Sequence, residues 1–251
     1  VRNGVTHLAI TDHDCAAVMD EVPQDIDISL ISGVEISCHW NSIELHVVGL
    51  FVDHENEQLH QLLTEQQQAR TERVHAMAEK LEALGTSGLS DYLASLPCKA
   101  YTRSHVANYL VAAGVSKTRQ KAFKTHLAKG GKIFVGSQWC ELETCIKTIH
   151  AAGGIAVLAH PGRYPLNKRR LSVLVEEFAE LGGDALEARY PNINPQTIQL
   201  LERLAYEAGI LLSEGSDFHD PAAHWTDVGK FLPIRGEALE RSVCSHTRWR
   251  D

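Results

Sequence analysis

Three apolar, strand-like runs in this 251-residue chain end in groups that can ligate a metal. LAITDHD ends in Asp12, His13 and Asp14, IAVLAHPGR reaches His160, and LLSEGSDFHD ends in Asp217, His219 and Asp220. Two further runs carry a polar group in mid-stretch, Glu35 in SGVEIS and His46 in IELHVVG. A carboxylate buried among apolar neighbours without a partner is costly, and metal coordination removes that cost. Mixed imidazole and carboxylate ligation without thiolates suits Zn, Mn or Fe in a catalytic site better than a closed structural zinc site. Several such ions side by side activate water and clamp the attacking and leaving oxygens of a phosphoryl group, so phosphoester hydrolysis is the expected chemistry.

Taken singly, a strand-end His or Asp more often caps a backbone group than binds a metal; it is the joint occurrence that favours a site. Of the 14 histidines, His7, His54, His60, His75, His126, His150, His224 and His246 sit at helix-face or loop positions without a partner motif, and read as solvated surface. Cys140 and Cys145 read as free thiols rather than a ligand pair.

The runs that carry these residues must be positioned by a fold. Short β-rich stretches, THLAIT (6 to 11), LISGVEIS (30 to 37), SIELHVVGLFV (42 to 52), IAVLAH (155 to 160), DALEARY (184 to 190) and ILLSEGSD (210 to 217), alternate with helical ones. LETCIKTIHAAGG, NKRRLSVLVEEFAELGG and PQTIQLLERLAYEAG each have apolar residues at helical spacing and a Gly just past the end, the pattern of crossover helices. Alternation of this kind implies an α/β fold. No GxGxxG follows the first strand, which favours a barrel over a dinucleotide fold. In α/β barrels the strand C-termini converge on one bowl, so the spacing predicts that the candidate ligands meet.

Residues 55 to 132 break the rhythm with helical patterns and hardly a strand, and read as a helical insertion into a barrel formed by 1 to 54 and 133 to 240. The end, RSVCSHTRWRD, has no clear period and reads as a frayed tail of 241 to 251. Within the insertion, TRSHVANYL places Arg103 and His105 near a helix start, where a guanidinium fork and a helix N-terminus favour phosphate. Arg163, after His160, and Lys132, beside a Gly pair, are further candidates for an anion. The balance of 24 basic against 32 acidic residues disfavours long duplex nucleic acid. No apolar run is long enough to span a bilayer, and six cysteines without a CxxC pair point to the cytoplasm.

The ordered strings TDHD, SGVEIS, ELHVVGL, LAHPGRY and GSDFH together resemble the polymerase and histidinol phosphatase (PHP) superfamily. RSHVANYLV and GGK followed by an aromatic and Val resemble its ribonuclease AM branch, also described as 3',5'-nucleotide bisphosphate phosphatases. The resemblance covers about residues 4 to 220. It implies a distorted seven-stranded (βα) TIM-like barrel, a helical insertion and a trinuclear cluster of Mn, Fe or Zn. By that resemblance Glu35 bridges two metals and builds one metal position with His46 and His160. Asp217 holds the neighbouring ion, and His13 and His219 surround the third. Arg103, His105 and Arg163 match positions that engage substrate phosphate. Glu35, His13 and Asp12 are the expected catalytic groups. The family's opening strand ends in an HxH motif, and nothing like it precedes TDHD, so the expectation is a piece of a longer protein whose barrel lacks its first strand here.

The activity that follows is removal of phosphate from a 3'-phosphorylated nucleotide, or attack at the 5' end of short RNA, by metal-activated water. Two alternatives remain open: a phosphatase for a small metabolite such as histidinol phosphate, and a degenerate module that binds an anion without catalysis.

Overall fold

The computed structural model describes residues 3–16, 27–98, 100–219 and 226–249. Asp220 and His224 lie outside the described residues. The chain divides into two compact units, residues 1–60 with 140–251, and residues 61–139.

The first unit is α/β. Its centre is a hairpin of β3 (Gly33–Trp40) and β4 (Ile43–Leu50). The two loop residues, Asn41 and Ser42, both take positive φ, 47° and 63°, the backbone that matches a two-residue turn to the twist of its strands. β3 is buried along almost its whole length, as expected of a strand covered on both faces. Around the hairpin lie β5 (Cys140–Glu141), β6 (Ile155–Leu158), β7 (Ala185–Arg189) and β8 (Leu211–Glu214), giving a mixed six-stranded sheet of order β5-β3-β4-β6-β7-β8. α5 (Leu142–Ala151) links β5 to β6, and β6, β7 and β8 run parallel, because α6 (Lys168–Glu180) and α7 (Pro195–Ala208) supply crossovers of the length that parallel pairing needs.

These helices begin and end where the sequence carries the signals. Asn167 and Asn194 accept hydrogen bonds from the amides of Arg170 and Thr197, and Pro195 opens α7. Gly182 and Gly209 follow the last turns of α6 and α7 with φ of 95° and 71°, a conformation that a side chain would penalise.

LISGVEIS does not form one strand. Ser32 interrupts it: its amide-side neighbours form β2 (Ser29–Ile31), which pairs in parallel with β1 (His7–Ala9), while β3 joins the larger sheet. Ser32 is tied instead to the far end of β4, donating from Oγ to the Val52 carbonyl (2.8 Å) and accepting from the Phe51 amide (2.7 Å). Beyond β1 the chain crosses to β3, where the Glu35 amide donates to the Asp12 carbonyl (3.0 Å) and the Asp14 amide to the Glu35 carbonyl (2.8 Å). That bridge sets His13 beside Glu35.

The chain end also departs from the sequence expectation. Val243 is buried in the cluster of Ile31, Val48, Leu50, Ile155 and Val157. Trp249 packs edge-on against Phe51, with ring centroids 5.2 Å apart. Short 3-10 turns, Gly236–Arg241, Val243–Ser245 and Thr247–Trp249, have no 3.6-residue period, which is why the segment reads as patternless although it is packed.

The second unit is helical. α1 (Glu57–Ala83) belongs to it from Gln61 on, followed by α2 (Leu89–Ala94), α3 (Arg103–Ala112) and α4 (Arg119–Ala122). Its own core includes Val74, Met77, Leu81, Leu93, Leu110 and Leu127, all nearly inaccessible. No helix among the described residues is long and apolar enough to cross a membrane.

Gly33 sets how closely the crossing chain approaches β3: a Cβ there would stand 2.7 Å from the Thr11 methyl and 3.0 Å from the Ile10 carbonyl. Gly33→Ala is expected to push residues 10 to 14 away and to destabilise the chain by about 1–3 kcal/mol. Urea unfolding checks this; an unchanged midpoint would mean that the close approach carries no constraint.

Candidate metal centre

Glu35 and His46 occupy neighbouring strands, in a register that pairs Glu35 with Val48 and Ser37 with His46. The two side chains are therefore diagonal neighbours on one face. His160 follows the end of β6, and the Ala159 amide extends the ladder to the His46 carbonyl (3.0 Å), which brings the imidazole over the same face. The Tyr164 hydroxyl accepts from the His46 amide (2.9 Å) and donates to the Ala159 carbonyl (2.8 Å), tying the two ligand-bearing backbones together.

The Glu35 carboxylate, 4% exposed, lies at the centre. Its Oε2 is 3.0 Å from His13 Nδ1, and its Oε1 is 3.1 Å from both His46 Nδ1 and His160 Nε2. His46 Nδ1 and His160 Nε2 are 3.3 Å apart. The His219 ring is 5.1 Å from that of His13. Two groups of three could each hold an ion: His13, Glu35 and His219, and Glu35, His46 and His160. Ligand atoms around a tetrahedral ion with bonds of about 2.0–2.1 Å stand about 3.3–3.4 Å apart. The observed separations come within a few tenths of an ångström of that spacing. The donor set, imidazole and carboxylate with no thiolate, fits Zn, Mn or Fe, and the buried Nδ1 of His160 has no hydrogen-bond partner among the described residues.

Electrostatics follow from this crowding. Burial pushes the Glu35 carboxyl upward, but His13 and His46, with hydrogen bonds from His160 and His46, outweigh it and hold the group well below the usual carboxylate range. Burial pushes His160 downward, and the Glu35 carboxylate beside it reverses the sign and raises it. Glu187, on β7, differs: burial raises it to about 7, with only partial relief from His160. Its Oε2 accepts the His160 amide (2.7 Å).

Three residues of this region take left-handed backbone although none is glycine: Asp14 (φ 47°), His160 (33°) and Asp217 (44°). Such conformations cost on the order of 1–3 kcal/mol each and persist only where surroundings hold them, typically at functional sites. At His160 the Glu187 acceptor is one such hold. At Asp14, which is wholly buried, the side chain accepts the Ser37 amide (2.8 Å) two residues along β3 from Glu35.

The remaining candidates are placed as follows. Asp217 pairs with Arg163 and lies 3.3 Å from His219 Nδ1, but belongs to neither group of three. The Arg163 guanidinium also stacks 5.1 Å over the Tyr190 ring. Asp12 is exposed, and the contact it makes to Glu35 is through its carbonyl. Arg103, His105 and Lys132 belong to the second unit. There His105 Nδ1 accepts the Thr102 amide (3.1 Å) at the start of α3, a capping role. Burial, Arg70 and Arg119 lower its pKa. Sequence reading passed over Glu187, although DALEARY carries the signal that singled out Glu35, an acid inside an apolar run.

No family profile matches the chain. It is similar to the 5'-3' exoribonuclease of Haemophilus influenzae, 38% identical over 92% of this chain and 85% of the relative. The 5'-3' exoribonuclease Rnm of Escherichia coli is 39% identical, over 92% and 81% of the two chains. The 3',5'-nucleoside bisphosphate phosphatase of Chromobacterium violaceum is 34% identical, over 88% and 80%. Among solved structures, one described as an amidohydrolase from Chromobacterium violaceum, with bound sulfate, superposes with a TM-score of 0.82 at 32% identity, over 92% of this chain and 82% of that one. A Bifidobacterium adolescentis protein assigned as a metal-dependent phosphoesterase gives 0.82 at 26% identity, over 97% and 87%. With relatives of this identity spanning most of both chains, and with the ligand motifs in the same order, the chain belongs to the PHP family of metal-dependent phosphoesterases, in the branch of the 5'-3' exoribonucleases and the 3',5'-nucleoside bisphosphate phosphatase.

Proposed function

We propose that the chain hydrolyses phosphate esters of nucleotides, releasing phosphate from a 3',5'-bisphosphorylated nucleotide or acting at the 5' end of short RNA. The observation that carries this reading is the Glu35 carboxylate surrounded by three imidazoles at 3.0 to 3.1 Å, with a donor set and spacing that fit a catalytic metal. The nucleotide-acting relatives favour it over a histidinol phosphate type of substrate and over a non-catalytic module.

Under this proposal Glu35 and the residues around it would hold a trinuclear cluster of Mn, Fe or Zn ions. His46 and His160 would serve one ion with Glu35, Asp217 a second, and His13 and His219 a third. The first unit is then a distorted TIM-like barrel, with the second unit inserted in its sequence. Metal bound there supplies Lewis acidity and lowers the pKa of water. The chain's own residues do the rest. Glu35 stays ionised, and so keeps the negative charge that would attract a cation, through the neutral pH range. Arg163, braced by Asp217 and the Tyr190 ring, offers a guanidinium fork whose planar geometry suits a phosphate group. Asp12 is the further candidate for a proton acceptor.

Glu35→Ala should abolish bound metal, measured by elemental analysis after desalting, and reduce phosphate release from a 3',5'-bisphosphorylated nucleotide at least about a hundredfold. Chelation of the unsubstituted chain should have the same effect. Full metal content in the variant would refute the ligand assignment.

Glu187 generates a pH dependence. Its carboxyl titrates near 7 when folded against 4.5 ordinarily, so the folded chain keeps a proton that the unfolded chain releases. Stability is therefore expected to fall, by ~3 kcal/mol at most, as pH rises from about 4.5 to about 7. Glu35, shifted the opposite way, loses its contribution only as pH falls below 4.5. Glu187→Gln keeps an acceptor for the His160 amide without the charge. Thermal unfolding of metal-free protein should show a flatter profile in this variant between about pH 5 and 7, and parallel profiles would contradict it.

A further inference from the structure

The second unit contains a cavity of about 300 Å³, with Leu81, Val115, Ser116, Lys121, His126 and Lys132 among its walls. None of its lining residues is acidic, in a chain whose net charge is -8. Its polar lining offers two ammonium groups, an imidazole and hydroxyls, and its apolar side is provided by α1 and the segment after α3.

The sequence KTHLAKGGK builds this wall. α4 passes directly into a π-helical turn, Phe123–Leu127, a rare form that recurs at functional sites. Gly130, with φ of 82°, then reverses the chain, and Gly131 lies so close that a Cβ would stand 2.6 Å from the His126 carbonyl. The amides of Lys132 and Ile133 donate to the carbonyls of Thr125 and His126, 3.1 Å each, and fix Lys132 beside His126. His126 is 6% exposed, and its buried Nδ1 has no hydrogen-bond partner among the described residues. Buried polar atoms are almost always paired, so an orphan in the wall of a basic cavity calls for an explanation.

We propose that this cavity is a binding site for a phosphate-bearing small molecule, whose phosphate is met by Lys121 and Lys132 and whose organic part rests on Leu81 and Val115. A phosphate accepts several hydrogen bonds at once, matching a lining rich in donors and free of carboxylates. The volume accommodates more than a bare phosphate, which separates a phosphate monoester from the inorganic ion as occupant. The proposal does not depend on the function proposed for the metal centre.

The test uses the full chain with ring-labelled histidine, the His126 signal being assigned by its loss in His126→Gln. Titration with inorganic phosphate at constant ionic strength should shift that signal saturably, and ribose 5-phosphate should do so at lower concentration. In Lys121→Gln, an exposed position whose substitution leaves the core intact, phosphate affinity at His126 should fall at least about fivefold. The same titration in Glu35→Ala should be unchanged. No saturable shift at His126, or an equal affinity in Lys121→Gln, would overturn the proposal. Equal affinities for ribose 5-phosphate and inorganic phosphate would overturn the part assigned to the apolar wall.

Discussion

A carboxylate almost without solvent exposure, held among imidazoles from three different segments, is the constraint around which the first unit is organised. Glu35 is buried in the middle of a strand covered on both faces, where an isolated charge would be prohibitive. Each of its neighbours reaches it by a distinct device: His46 through hairpin register, His160 through extension of the ladder past β6, and His13 through the bridge that the chain makes beyond β1. Removing the register, the ladder or the bridge would leave the same charge with fewer compensating groups.

The backbone bears part of this burden. Asp14, His160 and Asp217 adopt conformations that favour glycine, and each does so where a candidate ligand or its support is aimed. Glu187 and Asp14 hold two of these positions by accepting backbone amides, at His160 and at Ser37. Both carboxylates are buried, so the region concentrates acidic groups that the rest of the core could not tolerate. Electrostatics then divide the acids: the one beside imidazoles is driven downward, and the one beside a single histidine upward.

Much of this is legible in the sequence, for a physical reason. Glu35 and His46 interrupt apolar alternation, and His13, His160 and Asp217 end apolar runs, so a pattern read at one-residue resolution finds them. Crossover helices announce themselves through caps, Asn167 and Asn194 at one end and Gly182 and Gly209 at the other. What the pattern hides is set by tertiary contact. Ser32 splits one apolar run between two sheets because of partners around residue 51, far along the chain. Trp249 and Val243 pack from a segment without period. The capping role of His105 arises three residues away from its donor and looks from the sequence like a phosphate contact.

The most direct test of the central claim is the position of the metal itself. A crystal of the protein grown with Mn²⁺ and measured at its absorption edge should give anomalous density within about 2.0–2.3 Å of Glu35 carboxylate oxygens, with His46 and His160 completing the coordination. Anomalous peaks elsewhere in the chain, with Glu35 hydrogen-bonded to its histidines and coordinating nothing, would contradict the account.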